Sequence, residues 1–68
     1  MTWVNTRQER IGGFVIQFEV YRQDGKAKPF TAYAYHGPHQ VAKANAKTES
    51  EARDQCRAAY VELETSTR

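Results

Sequence analysis

The stretch that decides the fold is Phe14-Val15-Ile16-Gln17-Phe18-Glu19-Val20-Tyr21-Arg22. Strict alternation puts Phe14, Ile16, Phe18 and Val20 on one face and Val15, Gln17, Glu19 and Tyr21 on the other, the pattern of a half-buried strand. Turn formers follow in Gln23-Asp24-Gly25-Lys26-Ala27-Lys28-Pro29, and Phe30-Thr31-Ala32-Tyr33-Ala34-Tyr35 alternates again, which predicts a second, antiparallel strand. His36-Gly37-Pro38-His39 reads as another turn. Val41-Ala42-Lys43-Ala44-Asn45-Ala46-Lys47 then alternates small and polar side chains and is expected to be a third strand.

Thr48-Glu49-Ser50-Glu51 is a capping box, with the Thr48 hydroxyl placed to accept from the Glu51 amide and the Glu51 carboxylate to reach back. A helix should begin there. Ala52, Cys56, Ala59, Tyr60 and Leu63 form its apolar stripe, which needs the sheet face of Phe14, Ile16, Phe18, Val20, Phe30, Ala32 and Ala34 as cover. The expected fold is therefore α+β, a three-stranded antiparallel β-meander with one C-terminal α-helix packed on one face. Residues 1–13 read as an N-terminal extension, a short edge strand or a lid carrying Trp3 and Val4, with Gly12-Gly13 as a break. The tail 65–68 is expected to be disordered.

At 68 residues the chain holds one domain, and a core this small supplies only about 3–5 kcal/mol of net stability. One cysteine, Cys56, closes no intramolecular disulfide, which points to a reducing, cytoplasmic setting. Met1-Thr2-Trp3-Val4-Asn5-Thr6-Arg7 turns polar at once, so neither a signal peptide nor a membrane span is read. Met1 favours a complete gene product over an excised domain. The charge is uneven: up to Lys47 seven Lys/Arg face three Asp/Glu, and from Thr48 three face five. The sheet half is thus basic and the helix half acidic.

No constellation supports an enzyme. His36 and His39 lie three residues apart without a cysteine or carboxylate to complete a metal shell, and the Gly-Pro between them suits a polar hairpin. Cys56 falls on the apolar stripe as a small hydrophobe. Glu49, Glu51 and Asp54 favour the helix dipole. No metal or cofactor is expected.

The sheet face away from the helix is the informative one. By alternation it gathers Gln17, Glu19 and Tyr21, then Thr31, Tyr33 and Tyr35, then Lys43, Asn45 and Lys47. Such a surface can stack on bases, read base edges through amides and hold phosphates with ammonium groups. Tyrosine and threonine also favour strands for packing alone, and a protein partner or a second copy of the chain would cover a tyrosine-rich face equally well. Two functions stand: a nucleic-acid-binding accessory or regulatory module, for DNA or RNA, and a protein-binding regulator or inhibitor of the mobile-element type, acting alone or as a homodimer.

From Phe18 to Leu63 the order strand, strand, strand, helix resembles the C-terminal part of a double-stranded-RNA-binding domain, carried by Phe30-Thr31-Ala32-Tyr33-Ala34-Tyr35-His36-Gly37 and Thr48-Glu49-Ser50-Glu51-Ala52. That family places two lysines after the Ser/Thr at the helix start to bridge duplex phosphates. Here those positions are Glu49 and Ser50, so the resemblance implies the fold and not that contact. The Thr-x-x-Glu-Ala helix start is also similar to the three-stranded DNA-binding domains of phage-type tyrosine recombinases and plant ethylene-response factors, whose open sheet face enters the major groove. That similarity implies Gln17, Tyr33, Tyr35, Lys43, Asn45 and Lys47 as contacts, with Lys26 and Lys28 near phosphates.

Overall fold

The structure is a computed structural model that describes residues 2–66. Four strands and one helix follow in chain order: β1 Thr2–Ile11, β2 Phe14–Arg22, β3 Phe30–His36, β4 His39–Ala46 and α1 Glu49–Ser66. The strands form one antiparallel sheet in the order β1-β2-β3-β4, a meander with the helix after it. The α+β class and the C-terminal helix agree with the sequence. The number of strands does not, because residues 2–11 are a full strand where an extension, lid or short edge strand was expected.

The β1–β2 connection explains that difference. Gly12 and Gly13 have φ of 59° and 87°, so the apparent break is a two-residue hairpin whose twist matches the flanking strands. β1 lacks a continuous apolar alternation because its helix-side residues Asn5, Arg7 and Glu9, opposite Val20, Phe18 and Ile16, are polar, while Ile11 at its end joins the buried core. A register shift between Trp3 and Asn5 leaves Val4 without a partner, and Val4 packs against the core. A second shift places Val41 outside the β3–β4 pairing, again packed on the core. β4 starts at His39, earlier than expected, and Lys47 lies beyond its end.

Ile16, Phe18 and Val20 of β2 meet Ala32 and Ala34 of β3, Ala46 of β4 and Ala52, Cys56 and Tyr60 of the helix in one buried cluster. Alanines on β3 and β4 let the helix come close over those two strands, and the large β2 side chains fill the space beside it. Each fully buried Ile, Phe or Val contributes about 1.5–3 kcal/mol of transfer free energy.

The helix contacts the sheet along the ridge Ala52, Cys56, Tyr60, a strict i, i+4, i+8 row. Its flank toward β1 is charged. Glu49 accepts from Asn5 Nδ2 at 3.4 Å and pairs with Arg53, and Arg57 pairs with Glu9. Ala59 and Leu63 are exposed, contrary to the expected stripe, Ala59 at the edge of the buried arc and Leu63 near the end of the helix. By Leu63 the helix is also level with the β1–β2 hairpin, since Glu64 lies against Gly12. Phe14, expected in the core, is 45% exposed at the same end and packs edge-on to His36. Thr48 caps the helix, accepting from the Glu51 amide at 3.2 Å. The helix continues through Thr65 and Ser66, expected to be disordered; Thr67 and Arg68 lie outside the described residues.

Packing of this kind predicts a sharp contrast in urea denaturation. Phe18→Ala should cost about 3–5 kcal/mol, comparable to the whole stability of a domain this size, whereas Leu63→Ala should stay within about 0.5 kcal/mol.

Candidate binding face of the sheet

The helix covers one side of the sheet, and cross-strand pairing sets out the other in rows. Trp3, Tyr21, Thr31 and Asn45 form one row, Thr6, Glu19, Tyr33 and Lys43 the next, and Gln8, Gln17, Tyr35 and Gln40 the third. Arg10 opposite Val15 ends the face. Gln17, Tyr21, Tyr33, Tyr35, Lys43 and Asn45 are therefore brought together as the sequence implied. Lys47 is exposed past the end of β4 and does not belong to a row. Lys26 and Lys28 project from the β2–β3 loop at one end of the face.

Trp3, Thr6, Gln8, Arg10 and Gln40 were missed. The signal for the first four was present: Gly12-Gly13 between two segments of strand-forming length is a hairpin mark, and reading it so would have laid β1 beside β2. Trp3 is 59% exposed, and its indole N–H donates to Thr6 Oγ1 at 2.7 Å, so it is part of the face and not a lid on the core.

Aromatic rings occupy the two middle strands. Tyr21 and Tyr33 meet edge to face at 5.8 Å between centroids, and Tyr33 and Tyr35 lie 6.3 Å apart. Lys43 Nζ stands 5.7 Å from the Tyr33 ring centroid, within cation–π range. At the centre of the face, Glu19 accepts from Gln17 Nε2 at 2.7 Å and from the Tyr21 hydroxyl at 2.6 Å. Both carboxylate oxygens are thereby held by neighbours on the same strand. The bond to Glu19 is the main reason the Tyr21 phenol titrates above its ordinary value, followed by partial desolvation and the carboxylate charge. Desolvation and then the Glu19 charge raise Tyr35 as well.

A cavity of about 220 Å³ opens at the loop end of the face. Gln23, Lys26, Lys28 and Pro29 of the β2–β3 loop form one wall, and Thr31, Tyr33, Lys43 and Asn45 of β3 and β4 form the floor. The loop is closed by the Gln23 amide donating to the Pro29 carbonyl at 2.8 Å, and Gly25 takes the left-handed turn conformation. Three lysines thus border one cavity with no carboxylate in its lining.

Cys56 is fully buried, and burial pushes its thiol from 9.0 up to about 11. His36 and His39 face each other across the Gly37-Pro38 turn, and among the described residues no three His, Cys, Asp or Glu side chains gather as a metal shell. Among the described residues, no helix is long and apolar enough to cross a membrane. No family model, curated protein or solved structure matches the chain.

The Glu19 network predicts a titration. In Glu19→Gln the Tyr21 phenol should titrate lower than in the parent, toward its ordinary 10.0, while Tyr60, raised first by burial and then by Glu64, should not move. Proton NMR of the ring resonances against pH reads both. The folded-state stabilisation linked to these raised phenols and to Cys56 is present below their unfolded values and is lost as pH rises through the folded ones.

Proposed function

We propose that this chain is a nucleic-acid-binding module that uses the sheet face opposite the helix, and that its ligand is single-stranded. The observation that carries the reading is the division of that face into aromatic rings on the middle strands and ammonium groups at one margin. Bases stacked on Tyr21, Tyr33 and Tyr35 would leave their phosphates free to lie toward Lys43, Lys26 and Lys28. Base stacking on aromatic side chains tolerates every base, and lysines supply the sequence-independent attraction. The Glu19 carboxylate repels a phosphate directly above it, which favours bases over the centre, where it can accept from an exocyclic amino group.

Sheet width argues for a single strand over a duplex. Four strands at about 4.8 Å spacing put the outer two roughly 14 Å apart, wider than the roughly 12 Å major groove, which admits a two-stranded ribbon. β1 adds this breadth to the three-stranded arrangement whose similarity implied a groove-reading mode. An open four-stranded sheet with central aromatics is, in general, suited to splayed bases.

A protein partner is the second reading, favoured by Trp3 and Val15, 59% and 49% exposed on the same side. A fluorescence-anisotropy titration at low salt with a single-stranded oligonucleotide and its duplex separates these. Tighter binding of the single strand is expected, weakened by about 1–3 kcal/mol in Tyr33→Ala and with a linear fall of log affinity against log salt. No binding at tens of micromolar would remove the proposal, and sedimentation that shows a dimer closed over Trp3 would replace it with the second reading.

A further inference from the structure

We propose that the cavity between the β2–β3 loop and the β3–β4 floor is a phosphate-binding site that takes one phosphodiester of the bound strand; the identity of the strand rests on the function proposed above, while the choice of phosphate follows from the cavity itself. Lys26, Lys28 and Lys43 all line one cavity, and among the described residues none of them forms a salt bridge. Among the other described cations Arg22, Arg53 and Arg57 are each paired with a carboxylate, while Arg7, Arg10 and Lys47 are unpaired but do not line the cavity. Like charges held together without a counter-charge repel, so the arrangement is stabilised by an anion.

The remaining polar groups select the anion. Asn45 and Gln23, which carry amides, and Thr31 and Tyr33, which carry hydroxyls, also line it, so polar residues come from the loop and from two strands. Donors supplied by the loop and by two strands suit the tetrahedral oxygens of a phosphate, which lysine binds as a point charge. At about 30 Å³ of liquid volume per water, a cavity of about 220 Å³ has room for a phosphate with its ester oxygens. The backbone bond from Gln23 to Pro29 closes the loop that carries Lys26 and Lys28. Lys43, which both borders the cavity and stands over the Tyr33 ring, joins this site to the aromatic rows.

The test is an amide NMR titration of the full chain with inorganic phosphate at constant ionic strength, with chloride as the control anion. Saturable shifts at Thr31, Tyr33, Lys43 and Asn45 are expected with phosphate and not with chloride. Lys28→Gln with Lys43→Gln should weaken phosphate by about tenfold or more, the equivalent of one charge-assisted hydrogen bond, and Lys47→Gln, outside the cavity, should leave it unchanged. Shifts that match those of chloride, or equal weakening by Lys47→Gln, would overturn the site. The same variants titrated with the oligonucleotide keep the two proposals apart. Saturable phosphate binding by a chain that retains no oligonucleotide supports the site and removes only the strand. Undiminished oligonucleotide affinity in the double variant overturns the site and leaves the face.

Discussion

Close approach of the helix to a sheet floor of alanines is the contact on which the rest of this structure depends. Ala32 and Ala34 on β3, with Ala42, Ala44 and Ala46 on β4, present little side-chain volume, so the ridge Ala52, Cys56, Tyr60 can sit low over these two strands. The bulk of the core then comes from β2, whose Ile16, Phe18 and Val20 stand beside the helix. With one helix and one sheet, only one side of the sheet can be covered, and the other side is presented to whatever the chain meets. The charged flank of the helix completes the arrangement, because Glu49 and Arg57 reach Asn5 and Glu9 and give β1 partners that its own sequence pattern does not announce.

How much of this was legible follows from what each segment buries. β2, β3 and β4 alternate because one of their faces is apolar, and Thr48 marks the helix start by a local hydrogen bond; all four could be read from residues alone. β1 could not be read by alternation, since three of its helix-side positions, Asn5, Arg7 and Glu9, are polar and Ile11 joins the core only at its end. The exposure of Ala59 and Leu63 was equally hidden: a helical stripe shows which residues share a face, not where along its length the sheet stops covering that face. The bulges at Val4 and Val41 leave no mark in a period-two pattern.

The candidate face was legible in outline for the same reason. Gln17, Tyr21, Tyr33, Tyr35, Lys43 and Asn45 follow from alternation in the strands that could be read, and Trp3 and Arg10 were lost with β1. What required the structure was their arrangement in rows, the fixing of Glu19 by Gln17 and Tyr21, and the cavity in which Lys43 meets Lys26 and Lys28 from a distant loop. Lys47 shows the limit of the pattern, since one residue past the end of a strand the alternation no longer says which way a side chain points.

One side of the sheet is proposed as the working surface, with the helix as its support. Chemical-shift mapping of the folded chain with a short single-stranded oligonucleotide tests that division directly. The account predicts perturbations at Trp3, Tyr21, Tyr33, Tyr35, Lys43 and Asn45, with the exposed helix positions from Glu51 to Glu62 unmoved. Perturbations gathered on the helix, with the tyrosine rows silent, would contradict it.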